Sequence, residues 1–403
     1  MTGPARRIAV PARLAAAPVR TVLDALGEAR FVGGAVRDTL LDRPIGDIDL
    51  ATPLTPETVM AKLAEARIRF VPTGLAHGTI TALADHQPIE ITTLRHDVET
   101  DGRHAIVAFT DDWAADAARR DFTMNALYLD AEGGLWDPVG GIEDCLAGRV
   151  RFVGDARQRI TEDVLRLLRF YRFLAHFARA PADPAARAAC RTLAPGLHNL
   201  AGERIRVELL KLLGAPDPVP TIRMMIEDQV LREILPEPAD IARLARLVPI
   251  EPVADPLRRL AALLPADAAL AVAERLRLSV KERERLLDMN GRLDPPDLDG
   301  DAPAQRRALY RLGTDRYRDL ALLRAAGSGA ALAVPDLLAL ADAWPVPRLP
   351  VAGADALAAG ISAGTSVGAA LRAVEAWWIE GDFRAGREAC LARLAALGSG
   401  SNR

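Results

Sequence analysis

The chain has 403 residues, which is too long for one ordinary domain and suggests about two to four. Hydrophobic residues make up 50%, charged residues 26% and aromatic residues only 4%, a composition typical of a folded soluble protein richer in helix than in sheet. The 51 basic residues nearly balance the 54 acidic ones. The chain as a whole is therefore not a strongly basic nucleic-acid binder, and any such role must depend on a local patch.

The cysteines and the N-terminus bear on the compartment. Cys145, Cys190 and Cys390 are far apart and form no CxxC pair, which argues against a disulfide framework or a zinc site and favours a reducing cytoplasm. The basic N-terminal segment is interrupted by Pro11 and Arg13, and no stretch reaches about 18 uninterrupted apolar residues. We therefore expect neither a signal peptide nor a membrane span.

The first candidate site is a glycine pair between a strand and a helix. Residues 29–32 are predicted to form a short buried strand, Gly33-Gly34 a sharp turn, and residues 35–42 a helix. Glycine has no Cβ, so the backbone can approach a ligand closely, and the amides at the start of a helix favour a triphosphate. The guanidinium of Arg37 would pair with the negative charge of the triphosphate. A glycine pair alone is more often only a turn, so this signal is weak by itself.

Two aspartates follow the predicted helix at alternate positions. Residues 47–50 are predicted to form a strand, in which Asp47 and Asp49 share one face about 7 Å apart along the backbone. Two adjacent carboxylates repel each other unless a divalent cation neutralises them. A pair of metal ions roughly 4 Å apart could activate a hydroxyl and hold a leaving pyrophosphate. Without the preceding glycine turn, the same two aspartates would fit a solvated loop equally well.

The next segment alternates in the manner of strands. Residues 69–71, 78–84 and 88–94 are predicted strands, and the polar stretch 96–104 is predicted to be a loop between strands. Glu90, near the start of the third strand, is either a third carboxylate beside the aspartate pair or a surface residue. The sequence leaves both interpretations open.

A pair of arginines precedes the last predicted strand of this region. Arg119-Arg120-Asp121 leads into a strand at 126–129. A surface ion pair is the default interpretation. Contacts to a phosphate or ribose are the alternative, since the arginines stand where a nucleotide site would need them.

From Arg157 onward the pattern becomes helical. Within 160–177 an apolar stripe at helical spacing faces a charged side that carries Glu162, Asp163, Arg166, Arg169 and Arg172. Spacing alone favours a solvated, salt-bridged face. Between residues 149 and 191, however, ten basic residues stand against four acidic ones, and this is the local positive patch that the balanced total conceals. The rest of the chain is predicted to be helical, with proline-rich joints such as 236–238.

Together these segments resemble the class II tRNA nucleotidyltransferases, the CCA-adding enzymes, which share their catalytic domain with bacterial poly(A) polymerases. The resemblance covers about residues 28–215, and its motifs occur in the family order. They are GGAVRD (33–38), DID (47–49), RRDFTMNA (119–126), DPVGG (137–141), EDVLRLLRFYRF (162–173) and ERIRVELLKLL (203–213). Gly202 stands where the family often has a serine, so the start of the last helix is expected to be capped differently.

The resemblance implies an α+β fold. Residues 1–148 would form a nucleotidyltransferase head of the polymerase β type with a mixed sheet, and we call this segment the head. Residues 149–215 would form a helical neck with a base-recognition motif, and residues 216–403 a helical body and tail that bind tRNA.

The resemblance also implies an activity and a set of site residues. The activity is the template-independent transfer of CMP and AMP from CTP and ATP to the 3′ end of tRNA, with Mg²⁺ at a two-metal site and release of pyrophosphate. The metal ligands and catalytic residues would be Asp47 and Asp49. The nucleotide-binding residues would be Gly33, Gly34, Arg37, Arg120, Asp163, Arg166, Arg169 and Arg172.

The chemistry of the neck motif agrees with that implied role. A carboxylate such as that of Asp163 can accept a hydrogen bond from the exocyclic amine that cytosine and adenine share, and a guanidinium such as that of Arg166 can donate to a ring nitrogen. UTP and GTP would leave those groups unpaired. The alternatives that remain open are a poly(A) polymerase, an enzyme that adds only A, and a non-catalytic RNA-binding protein. The oligomeric state is not predicted.

Overall fold

The computed structural model describes residues 3–100 and 105–400. It divides into two compact units, Met1–Pro236 and Glu237–Arg403. The division falls within the proline-rich joint 236–238. The boundaries predicted after residues 148 and 215 both fall inside the first unit and stay predictions.

The first unit contains a mixed sheet. In its described part the strands are β1 (Arg6–Arg7), β2 (Arg30–Val32), β3 (Ile48–Thr52), β4 (Arg69–Gly74), β5 (Thr79–Ala84), β6 (Gln87–Thr93), β7 (Arg95–Thr100), β8 (Ala105–Phe109), β9 (Tyr128–Leu129) and β10 (Gly134–Trp136). Eight of them form one sheet in the order β1-β10-β9-β2-β3-β6-β5-β4, and β7 pairs with β8. The β3–β6 pair is parallel, whereas its neighbours are antiparallel.

The helices of the first unit flank the sheet and then continue beyond it. They are α1 (Ala17–Leu26), α2 (Gly34–Leu40), α3 (Pro56–Glu65), α4 (Trp113–Ala118), α5 (Gly141–Ala147), α6 (Ala156–Glu162), α7 (Leu165–Phe177), α8 (Pro184–Leu193), α9 (Gly202–Leu213), α10 (Val219–Glu227) and α11 (Leu231–Ile234). Because the sheet is mixed and the region after it is helical, the predicted α+β fold is confirmed.

A tight turn positions β6, the strand that carries Glu90. Asp85 and His86 both adopt positive φ angles, 47° and 62°, and Ala84 pairs with Gln87. Two consecutive left-handed residues form the kind of turn that matches the twist of an antiparallel hairpin. The turn thereby sets which residues of β6 stand beside β3.

Two predicted features differ from the structure. The stretch 96–104 is not simply a loop, because β7 extends over its first half; residues 101–104 lie outside the described residues. The neck motif is not one helix either, since Asp163 has extended backbone angles (φ −150°, ψ 106°) between α6 and α7. The apolar stripe is nevertheless present in α7, where Leu167, Leu168 and Tyr171 are buried.

An aromatic cluster joins the head to α7. Phe122, next to the arginine pair of the head, lies 4.7 Å from Phe173 and 4.9 Å from Phe152 between ring centres. Phe152 in turn stacks on Phe170 at 5.4 Å. All four rings are buried, so the head and the neck share one core.

The described residues of the second unit are helical. The helices are α12 (Ile241–Leu247), α13 (Pro256–Leu263), α14 (Ala269–Arg275), α15 (Val280–Leu287), α16 (Ala302–Leu312), α17 (Thr314–Ser328), α18 (Val334–Ala343), α19 (Gly353–Ala358), α20 (Thr365–Glu380) and α21 (Arg387–Gly400). A π-helical turn, Asp288–Arg292, follows α15. α17 is central to this unit, because eight of its residues between Tyr317 and Ala326 are buried. Among the described residues, every helix is too short or too polar to cross a bilayer.

Candidate active site

The glycine turn lies between β2 and α2, as predicted. Gly33 has φ 68° and ψ −124°, a conformation that residues with a Cβ rarely adopt. A Cβ added to Gly33 would meet no atom within 4 Å. Glycine is therefore required here by the backbone angle, and the space beside it stays open.

The carboxylates converge on the parallel pair of strands. Asp49 on β3 stands opposite Glu90 on β6, and Asp47 immediately precedes β3. Burial, with the charges of Glu90 and Asp47, raises the pKa of Asp49 to about 6, although Arg120 opposes the shift. Asp49 is half-buried, whereas Asp47 and Glu90 are exposed. The three carboxylates are thus close enough to repel one another.

This cluster is better suited to Mg²⁺ than to a metal ion whose ligands all come from the protein. Within the described residues no three His, Cys, Asp or Glu side chains form a metal-binding group by themselves. Mg²⁺ is usually held by one or two carboxylates, with water and substrate phosphates completing its shell. Two aspartates beside an open glycine turn satisfy that requirement.

Arg37 lies at the junction with the neck. Its Nε and Nη2 donate to the carboxylate of Asp38 at 3.0 Å, and its Nη1 donates to Oδ1 of Asn125 at 2.9 Å. The guanidinium carbon lies 4.2 Å from the centre of the Phe177 ring. Arg37 is held rigidly, and its predicted contact with the triphosphate stays a prediction.

A buried aspartate that sequence reasoning missed holds both arginines of the pair. Asp116 is 1% exposed and accepts hydrogen bonds from Arg119 (2.6 Å), Arg120 (2.8 Å) and the hydroxyl of Tyr128 (2.7 Å). Burial alone would raise the pKa of Asp116, but the two arginines hold it far below its usual range. The i,i+3 and i,i+4 spacing to the arginines could have identified it.

The third residue of that motif connects the head to the neck. Asp121 is 8% exposed and accepts a hydrogen bond from Nε of Arg169 at 2.7 Å and from Nδ2 of Asn125 at 3.1 Å. Burial opposes ionisation, yet Arg169 keeps the pKa of Asp121 below its ordinary value. Asp121 and Asn125 lie within the motif, but their role requires a partner 48 residues away.

The predicted base-reading residues have different partners. Asp163 accepts from Nη2 of Arg204, on α9, at 3.1 Å, and Arg166 pairs with Glu162 at 2.6 Å. Asp163 and Arg166 are therefore not paired with each other. Arg172 donates to Glu208 at 2.6 Å, a residue only 4% exposed. Arg204 and Glu208 lie in the last motif, but nothing in their local spacing indicates these partners.

The cap at the start of α9 differs from the serine cap common in the family, as the sequence predicts. Its N-cap is Ala201, which makes no side-chain capping bond. Glu203 lies in the first turn, where a negative charge is favourable.

Comparison with sequence families defines the class. A family described as the poly A polymerase head domain matches residues 29–151. A second, described as a probable RNA and SrmB- binding site of polymerase A, matches residues 182–241. The first unit thus has the fold of a poly A polymerase-type nucleotidyltransferase head.

Similar proteins narrow the class to a family. The chain is 34% identical over 381 residues to a mitochondrial CCA tRNA nucleotidyltransferase 1 of Danio rerio, covering 91% of this chain and 87% of that protein. It is 38% identical over 222 residues to a CCA-adding enzyme of Bacillus cytotoxicus, 55% of each. The crystal structure of the Bacillus stearothermophilus CCA-adding enzyme in complex with CTP covers 96% of this chain and 99% of that one, with 27% identity and a TM-score of 0.73. The chain belongs to the CCA tRNA nucleotidyltransferases.

Proposed function

We propose that this chain adds C, C and A to the 3′ end of tRNA, using CTP and ATP and releasing pyrophosphate. The observation that carries the proposal is the carboxylate cluster of β3 and β6, in which Asp49 has a raised pKa beside Asp47 and Glu90. It stands next to an open glycine turn on a head shared with the family.

Asp47 and Asp49 would hold Mg²⁺, with Glu90 alongside. When bound, the ion would lower the pKa of the terminal 3′-hydroxyl and neutralise charge on the phosphates. The turn at Gly33-Gly34 and Arg37 would bind the departing pyrophosphate. Asp116 would orient Arg120 toward the nucleotide.

The neck residues would select the base. Asp163 pairs with Arg204 and 31% of its side chain is exposed, so carboxylate lone pairs remain for the exocyclic amine of cytosine or adenine. Arg166 donates to Glu162 and to the carbonyls of Arg159 and Arg119. Those bonds fix its plane and use three of the five donors of a guanidinium. Arg169 and Arg172 would hold the neck in place through Asp121 and Glu208.

The test is transfer to a tRNA that lacks its CCA end, with each labelled NTP supplied separately. We expect C to be incorporated before A, and Asp47→Ala to abolish incorporation while thermal unfolding stays unchanged. Asp24→Ala, an exposed aspartate on α1, is the matched control. Full transfer by the Asp47→Ala variant would refute the metal assignment.

The same assay separates the alternatives. The match to the poly A polymerase head domain keeps a poly(A) polymerase as the second candidate. A long A ladder without C would establish it, and addition of A only to a tRNA ending in CC would indicate the A-adding specialist. The cytoplasmic location stays a prediction, because the Danio rerio relative is named as a mitochondrial protein.

A further inference from the structure

The second unit contains a cavity to which the proposed transfer mechanism assigns no role. Its volume is about 380 Å³, near the lower end of the roughly 300–1,000 Å³ typical of small-molecule sites. It lies between α12, the π-helical turn after α15, and the C-terminal part of α17. Arg243, Asn290 and Arg324 supply its charged and amide groups, and no carboxylate lines it.

Two buried polar atoms at this cavity lack partners. Nε of Arg243 and Oδ1 of Asn290 are both buried and make no hydrogen bond to any described residue. Asn290 is 7% exposed, and its Nδ2 donates to the carbonyls of Ala261 (3.2 Å) and Leu264 (3.4 Å). These two bonds fix the amide orientation, so that Oδ1 is the atom left as an acceptor. Leaving such buried groups unpaired is energetically costly.

Arg243 is a partly buried cation that forms no ion pair with any described residue. Burial lowers the pKa of Arg243, and Arg246 on the same helix lowers it further, while Asp240 acts in the opposite direction. The carboxylate of Asp240 caps α12 by accepting from the backbone N–H of Arg243. Within the described residues no carboxylate forms an ion pair with the guanidinium of Arg243 or of Arg324. Arg324 is exposed, but Arg243 is partly buried, and a partly buried cation without an ion pair points to an anionic ligand.

The backbone beside Asn290 is also unusual. Asn290 (φ −113°, ψ 47°) and Gly291 (φ 103°) break the helix within the π-helical turn. Here the break presents Asn290 to the cavity instead of continuing the helix.

We propose that this cavity is a binding site for one nucleotide, whose phosphate pairs with Arg243 and Arg324 and whose base lies on the apolar wall. Leu293, Leu320 and Leu323 supply that wall. An exocyclic amine or ribose hydroxyl donates to Oδ1 of Asn290. A simple anion would satisfy the arginines but leave the apolar wall and the amide acceptor unused, whereas a nucleotide satisfies all three.

Two sources can supply this chemistry: an unpaired nucleotide of a tRNA, or a free nucleotide. The first source rests on the proposed function; the second does not. Hydrogen exchange separates them, because it reports on residues 286–295 independently of nucleotide bound at the head. The full chain is measured alone, with 5′-AMP, and with a tRNA that lacks its CCA end.

The decisive variant is Arg243→Met, which keeps the length of the side chain and removes the charge. We expect its unfolding temperature without ligand to be equal to or above that of the unchanged protein, because an unpaired buried charge is removed. We expect ligand protection of 286–295 to be lost and the affinity for the protecting ligand to fall about tenfold. Arg372→Met, an exposed arginine on α20, is the control and should behave like the unchanged protein.

The outcomes distinguish the sources and can overturn the proposal. Protection by tRNA but not by 5′-AMP assigns the site to the RNA chain, and protection by 5′-AMP assigns it to a free nucleotide. If neither ligand protects 286–295, or if Arg243→Met binds both as tightly as the unchanged protein, the site does not exist. Loss of transfer in the Asp47→Ala variant is a separate readout, so failure of one proposal does not imply failure of the other.

Discussion

Two sets of carboxylates in the first unit have opposite electrostatic surroundings. Asp49 and its two acidic neighbours repel one another, and no described arginine or lysine forms an ion pair with any of the three. Asp116 and Asp121 are more deeply buried, yet arginines bond to both. Buried charge is stable when it is paired and costly when it is not. The cluster around Asp49 therefore requires an added cation, whereas the ion pairs of Asp116 and Asp121 position side chains.

The largest test of this contrast is a matched pair of Asp→Asn substitutions. Asp49→Asn should lower transfer by about 10³-fold or more, since a charge that acts on the reacting atoms is lost, yet raise the unfolding temperature by relieving repulsion. Asp121→Asn should lower the free energy of unfolding by about 2–3 kcal/mol, because it removes the closer of the two carboxylates that pair with Arg169 and leaves only Glu208 at 3.8 Å. Thermal and urea unfolding of both variants provide the measurement. A shift of both in the same direction would contradict the contrast.

The pH dependence of metal binding is the second test. Because the pKa of Asp49 is about 6 in the metal-free protein, protons compete with Mg²⁺ below that pH, and the affinity should fall about tenfold between pH 7 and pH 5. Ionisation of Asp49 is unfavourable to folding above pH 6, and this penalty is lost progressively as the pH falls from about 6 to about 4, the ordinary range of an aspartate. The pKa of Asp121 is lowered, so its contribution to stability is present above the ordinary carboxyl range and lost only in stronger acid. Calorimetric titration of Mg²⁺ at both pH values measures the effect. Equal affinities would refute the role of Asp49.

The smallest expected effect concerns the ion pair between Asp163 and Arg204. Both side chains are partly exposed, so Arg204→Ala should change the free energy of unfolding by less than about 1 kcal/mol. It should raise KM for CTP about 3- to 10-fold and reduce the preference for CTP over UTP, since Asp163 is no longer held. Glu203→Ala, one residue earlier on α9, is the control. An unchanged preference would show that the pair is only structural.

Short-range sequence patterns predicted the glycine turn and the aspartate pair of the head, but they did not predict the ion pairs that hold the surrounding side chains in place. The glycine turn and the aspartate pair depend on residues within one or two positions of each other, so spacing alone placed them. The contacts of Asp121 with Arg169 and of Asp163 with Arg204 join residues 48 and 41 positions apart, and no local pattern encodes them. The break at Asp163 was missed because the apolar stripe keeps its helical spacing through α7. The cavity beside Asn290 has no sequence motif, since it is formed by four separate segments.

The aromatic cluster of Phe122, Phe152, Phe170 and Phe173 has a consequence for cooperativity. Its rings come from the head and from the neck and are buried together. Neither segment can expose its side of the cluster without exposing the other, so the two must melt in one transition. An inherited or engineered change in α7 would thus reduce the population of catalytically competent head, even if every nucleotide contact were left intact.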